Sequence, residues 1–114
     1  MKEDDLIRLR HMLEAAHTVA MFAAGESRAS LDNDLKLTFA LVHAIQIIGE
    51  AAFKISKESR DEQPQIPWSK IIGMRHVLVH DYFDIDRDLV WSTVTKSIPD
   101  LIGELEKIVP PSES

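Results

Sequence analysis

No cysteine occurs among the 114 residues. That excludes a disulfide framework and a thiolate metal site. It is compatible with a reducing compartment, and a cytoplasmic location is expected. The four glycines and five prolines are few and fall mostly at breaks between apolar-periodic stretches, which favours helices. No run is apolar enough for a leader or an anchor. The chain opens Met1-Lys2-Glu3-Asp4-Asp5 and turns amphipathic. The most apolar stretch, Ala40 to Ile48, is interrupted by His43 and Gln46. It falls well short of the roughly 20 residues a membrane span needs. Positive charge is outnumbered, thirteen Lys and Arg against nineteen Asp and Glu. The net charge of −6 argues against a general nucleic-acid coat.

What is present fits one domain over residues 1–114, with its core from about residue 4 to about 109. The charge is uneven. From Lys54 to Arg75 there are five basic residues and three acidic ones, against eight and sixteen elsewhere. The chain's net-basic region therefore leads into Arg75-His76-Val77-Leu78-Val79-His80-Asp81-Tyr82. No other segment is as dense in groups that hold phosphate or move protons.

Four helices are expected. The first starts at Asp4 or Asp5 as N-cap and carries Leu6, Leu9, Leu13, Ala16, Ala20 and Ala23 as a 3-4-3-4-3 stripe. Met12, Val19 and Phe22 widen it. His11 and His17 read as surface or boundary residues, and Gly25 as a stop. The second runs from Ser30 or Asp32 to about Ser59. Leu41, Ile45, Ile48, Ala52 and Ile55 form its core line. Ala44, Ile47, Ala51 and Phe53 make it apolar over much of its circumference, as a bundle interior plus a self-association surface would require. Gly49 in mid-helix costs about 1 kcal/mol relative to alanine and reads as a close-packing position. Glu50 beside it needs a partner or an opening to solvent.

Residues Lys57 to Ile66 form the long connection. Pro67 fits the first position of the third helix, which runs to His80 or Tyr82 with Trp68, Ile71, Ile72, Leu78 and Val79 inward. Residues 84–88 break the chain and cap the fourth helix. Its stripe is Trp91, Val94, Ile98, Leu101, Leu105 and Ile108, and Pro99 should bend or loosen it. Nothing reads as a strand. The fold class is all-α, an antiparallel four-helix bundle that dimerises.

On one helix His76 and His80 share a face. Arg75 and His80 lie about 140° apart and converge only if the helix end loosens or Arg75 reaches around. Three chemistries fit. In the first, Arg75 holds an RNA phosphate and neutralises the phosphorane, while His80 serves as general base or acid at the 2′-hydroxyl with His76 assisting. No metal or other cofactor is needed, because RNA carries its own nucleophile. In the second, His76 and His80 bind zinc, with Asp81 or Asp84 completing the set. In the third, Arg75 pairs with an acid such as Glu50 and the histidines cap the helix.

The Arg75-His76-x-x-x-His80-x-Tyr82 pattern resembles the Arg-polar-x(4–6)-His signature of HEPN domains. It is closest to the Arg-x4-His-x-Tyr form of the HepT-like toxins. Ile47-Ile48-Gly49-Glu50-Ala51, Ile66-Pro67-Trp68 with Ile71-Ile72-Gly73-Met74, and Val90-Trp91 with Ile98-Pro99-x-Leu101 resemble flanking patterns of that subfamily. The likeness spans approximately Leu6 to Leu105. It implies a homodimer that lines a cleft with the motif from both copies and acts as a metal-independent ribonuclease toxin. The implied catalytic pair is Arg75 and His80, and His76 and Glu50 are secondary candidates from the residues themselves. The implied partner is a minimal nucleotidyltransferase antitoxin that transfers AMP onto Tyr82. No membrane association is expected. The residue after the motif arginine is often asparagine in that family and is His76 here. His43 stands where a polar residue should face the cleft. A different class of protein also fits: a non-catalytic helical dimer that binds nucleotide or a nucleotidyltransferase.

Overall fold

A computed structural model describes residues 1–81 and 84–110, with backbone only for Val77, His80 and Asp81. The expectation for Tyr82 lies outside the described residues. The chain is all-α apart from one small hairpin. Helix α1 spans Glu3–Ala23, α2 Ser30–Asn33, α3 Leu35–Lys54, α4 Lys57–Asp61 and α5 Trp68–Val77. Strands β1 (Val79–Asp81) and β2 (Asp84–Ile85) pair antiparallel. Then come α6 (Arg87–Ser92), a π turn (Thr93–Ser97) and α7 (Ile98–Ile108).

Helix α3 is the centre. It packs against α1 on one side and α5 on another, and α7 closes over α1. Its expected core line, Leu41, Ile45, Ile48, Ala52 and Ile55, is buried throughout. By length and composition alone α3 could cross a membrane, but half of its apolar window is buried inside the protein. The α1 stripe is set differently from expectation. Leu9, Met12, Ala16 and Val19 are buried, while Ala20 and Phe22 are exposed. The buried line therefore begins at Asp5, with 4-3-4-3 spacing. Asp5 is not the N-cap, a position Lys2 takes.

The long second helix is three segments. Asp34 is extended, and its side chain accepts from the Leu37 N–H at 3.0 Å. It restarts the helix as α3, so α2 is a separate turn. Ile55 is extended in turn, and Ser56 caps α4 by accepting from the Ser59 N–H at 3.2 Å. Serine and aspartate offer the backbone a competing partner, which breaks a helix that apolar periodicity alone would continue. The connection between the second and third helices thus contains α4. Pro67 is the N-cap of α5, one residue before its expected place.

The third helix is shorter than expected. It ends at Val77, and residues 79–81 are extended. Two β-branched residues, Val77 and Val79, flank Leu78 and favour extended backbone. The Leu78 carbonyl accepts from the Asp86 N–H at 2.9 Å, which closes the hairpin. Asp86 caps α6 through the Leu89 N–H at 3.0 Å, as the sequence suggests. The expected loosening at Pro99 is present as the π turn. Proline has no N–H to give the Thr95 carbonyl, and the Ile98 N–H reaches back to Thr93.

Candidate functional site

The site is built on the crossing of α3 and α5. An added Cβ on Gly49 would stand 2.8 Å from Arg75 Cγ and 3.0 Å from the Ile71 carbonyl oxygen. Only a residue without a side chain lets these helices approach so closely, which is the packing role expected of Gly49. Gln46, one turn earlier, donates from Nε2 to the Arg75 carbonyl at 3.4 Å, meeting an acceptor that the end of α5 leaves open.

Arg75 is placed by what surrounds it. Its Nε donates to the Ile72 carbonyl at 3.1 Å. Its guanidinium lies over the Phe53 ring, 4.0 Å from the centroid, a cation–π contact that holds the plane of the fork. One terminal nitrogen faces Glu50 Oε1 at 3.4 Å, a long pair with an exposed carboxylate. The Arg75 side chain is 19% exposed. Arg75 thus has a fixed stem and a weakly committed head. It is not buried in ion pairs under α6 or α7. Glu50 meets the expectation of a partner and also that of exposure.

Arg75 and His76 line an open groove of about 770 Å³ with Asp4, Ile7, Arg8 and His11 of α1 and His43, Gln46, Ile47, Glu50, Ala51 and Lys54 of α3. Its walls carry three Lys or Arg side chains and three histidines against two carboxylates, in a chain of net charge −6. His43 faces this groove, as expected of a polar residue at that position. His76 is exposed and lines it. His80 is in β1, not on the helix that carries Arg75, so His76 and His80 do not share a helical face. Beyond the backbone, His80 lies outside what is described.

Several residues had no site signal in the sequence. Arg8, His11 and Lys54 reach the groove from elements distant in the chain, and the pairing of Phe53 with Arg75 has no sequence spacing that would show it. Asp5 is a second charged centre that sequence reasoning placed wrongly. It is 3% exposed. Its carboxylate accepts from the Ser56 N–H at 3.0 Å and from the Ser56 and Ser59 hydroxyls at 2.6 Å each. These bonds, the Ser56 hydroxyl foremost, hold its carboxyl at about 2 against an ordinary 3.8, although burial acts in the opposite direction. Asp5 joins the start of α1 to the start of α4 and forms no part of the groove wall.

The family model described as ribonuclease HepT-like matches residues 12–108. The chain is 35% identical over 101 residues to a candidate RNase of Caldanaerobacter subterraneus subsp. tengcongensis, covering 89% of this chain and 90% of that one. It is 33% identical over 105 residues to a candidate RNase of Methanocaldococcus jannaschii, covering 92% and 96%. A "Probable ribonuclease HepT" of Thermococcus cleftensis is 41% identical over 75 residues, 66% of this chain and 68% of the other. No solved structure gives a significant match. The matched span contains α3, α5 and every residue that fixes Arg75, and on these grounds the chain belongs to the HepT-like ribonuclease family.

Proposed function

We propose that this protein is an endoribonuclease toxin that cuts RNA through the RNA's own 2′-hydroxyl. The observation that carries the reading is the seat of Arg75, a rigid stem with a weakly paired guanidinium at the wall of an open, cation-rich groove. Such a group exchanges a long contact to an exposed carboxylate for a bidentate hold on a phosphodiester, and it neutralises the charge that develops there. His80 takes the 2′-hydroxyl proton. The 2′-oxygen attacks phosphorus, the bond to the 5′-oxygen breaks, and the leaving oxygen is protonated. The ends are a 2′,3′-cyclic phosphate and a 5′-hydroxyl. His76, on the same groove wall, donates a hydrogen bond to the phosphate. Glu50 orients Arg75 until RNA arrives. The route needs no metal ion, because the nucleophile belongs to the substrate.

Two copies in an antiparallel bundle arrangement would present both motifs to one cleft. The exposed Leu35, Phe39, Ile47 and Phe53 along α3 support such pairing. The regulatory partner in this reading is a nucleotidyltransferase antitoxin. The Tyr82 oxygen attacks the α-phosphate of ATP, pyrophosphate leaves, and the tyrosine carries AMP. The added phosphate and bulk then stand beside the motif and repel RNA.

The test is induced expression of wild type, Arg75→Ala and His80→Ala, with growth and total RNA followed together. Toxicity and new RNA ends for wild type, both lost in the two variants, are expected. A folded wild type that neither arrests growth nor yields new ends at any dose overturns the reading in favour of a non-catalytic binding module.

A further inference from the structure

We infer that the α1–α3 side of the groove is a track for RNA phosphates beyond the scissile one, held by Arg8, His11, His43 and Lys54. The inference rests on the ribonuclease reading and extends it to the substrate, a single strand several nucleotides long. Arg8 and His11 lie one turn apart on α1 and line the groove together with His43 and Lys54 of α3. From His43 to Lys54 is about 16 Å along the helix axis. That distance exceeds what one phosphate at Arg75 occupies. The acids on these walls are Asp4 and Glu50, and Glu50 already faces Arg75. Arg8 reaches only the Asp4 carbonyl, at 3.5 Å. Among the described residues no carboxylate pairs with Arg8 or Lys54 at salt-bridge distance.

The chain's bulk charge makes this placement informative. In a protein of net charge −6, cations gathered in one groove fix where a strand lies. His11 and His43 add N–H donors along the same walls. Ile7 is exposed on the α1 wall and gives apolar surface for sugar and base faces. Held through its phosphates by these cations, the strand is positioned by its backbone.

The experiment measures anisotropy of a fluorescein-labelled 16-nucleotide RNA with 2′-O-methyl groups throughout, which binds but cannot be cut by its own hydroxyl. Affinity is followed against salt for wild type, Arg8→Gln, Lys54→Gln and Arg10→Gln, each checked for helical content. Arg10 is exposed on α1 away from the groove and serves as control. Each groove variant should lower the slope of log affinity against log salt by about 0.7, and the control should leave it unchanged. The loss should shrink when a four-nucleotide RNA replaces the longer one. Wild-type slopes in folded Arg8→Gln and Lys54→Gln would overturn the track, as would equal losses for the short and long RNAs. Because the probe is uncleavable, the test separates the two readings. Groove-dependent binding by a wild type that cuts no RNA would remove the cleavage reading and leave the track standing.

Discussion

Two charged side chains, Asp5 and Arg75, hold helices together, and they are held in opposite ways. Asp5 is almost wholly buried, and its carboxylate accepts three short hydrogen bonds from Ser56 and Ser59. Arg75 is fixed at its stem by the Ile72 carbonyl, the Phe53 ring and the absence of a side chain at Gly49. Its head keeps only a 3.4 Å contact to an exposed glutamate. A charge whose hydrogen-bonding capacity is met in the fold contributes to stability. A charge held in place with its capacity open is available to a ligand. Sequence alone suggested reversed duties for Asp5, as an exposed cap, and left Arg75 between site and structural ion pair.

The sharpest way to break this contrast is at Arg75. Arg75→Ala should lower RNA cleavage by about 10²–10³-fold, the range seen when a single transition-state donor is removed. Its unfolding midpoint should shift little. A loss of folding as large as the loss of cleavage would make Arg75 structural after all. Arg75→Lys should recover little activity, since a lysine neither forks nor stacks on Phe53.

Next in size is Asp5→Ala. It strands three donors in a buried position and should cost about 2–3 kcal/mol in a denaturant titration. Cleavage per folded molecule should stay unchanged. The acid limb offers an independent check. Asp5 has a lowered folded-state pKa, so its contribution is fully present above the ordinary value of 3.8. It is lost as pH falls toward about 2. Wild type should lose stability across that window, and Asp5→Ala should show a shallower fall there.

The glycines give the smaller effects. Gly49→Ala pushes α5 away from α3 and should cost about 1–3 kcal/mol. It should also reduce cleavage, because the displaced atoms belong to Arg75. Gly73→Ala meets nothing within 4 Å and should raise stability by up to about 1 kcal/mol. Equal effects at the two positions would mean that the α3–α5 crossing does not depend on close approach.

Much of this was legible in the sequence, for identifiable reasons. The α3 core line and the α7 stripe are long, regular apolar repeats, and such repeats leave few alternatives. The use of Gly49 for close packing follows from a residue that is costly in a helix without a reason. The breaks at Asp34 and Ile55–Ser56 were harder to see, because polar capping overrides a periodicity that runs straight through them. On α1 the buried line keeps Leu9 and Ala16 but takes Asp5, Met12 and Val19 in place of Leu6, Leu13 and Ala20, because Asp5 belongs to it and aspartate is normally read as surface. The pairing of Val79–Asp81 with Asp84–Ile85 depends on a tertiary hydrogen bond between Leu78 and Asp86, which local propensity does not reveal. At the site, the motif was visible and its surroundings were not. Phe53, Arg8 and His11 meet Arg75 or its groove only through folding.

The π turn ahead of Pro99 also sets the phase of the chain. A π turn takes in one residue more than an α turn, so the segment before it is rotated relative to the segment after it. Val90, Val94 and Ile98, at intervals of four, are all buried along this wider turn. The same rotation turns α6 toward the α2 region, where Arg87 Nε reaches the Leu31 carbonyl at 3.1 Å and Arg28 meets Asp88 at 2.8 Å. Deleting one residue between Thr93 and Ser97 would restore ordinary helical winding and keep α7 in place. It would also swing α6 by about 100° and unclasp both latches, making this proline the timing mark of the C-terminal half.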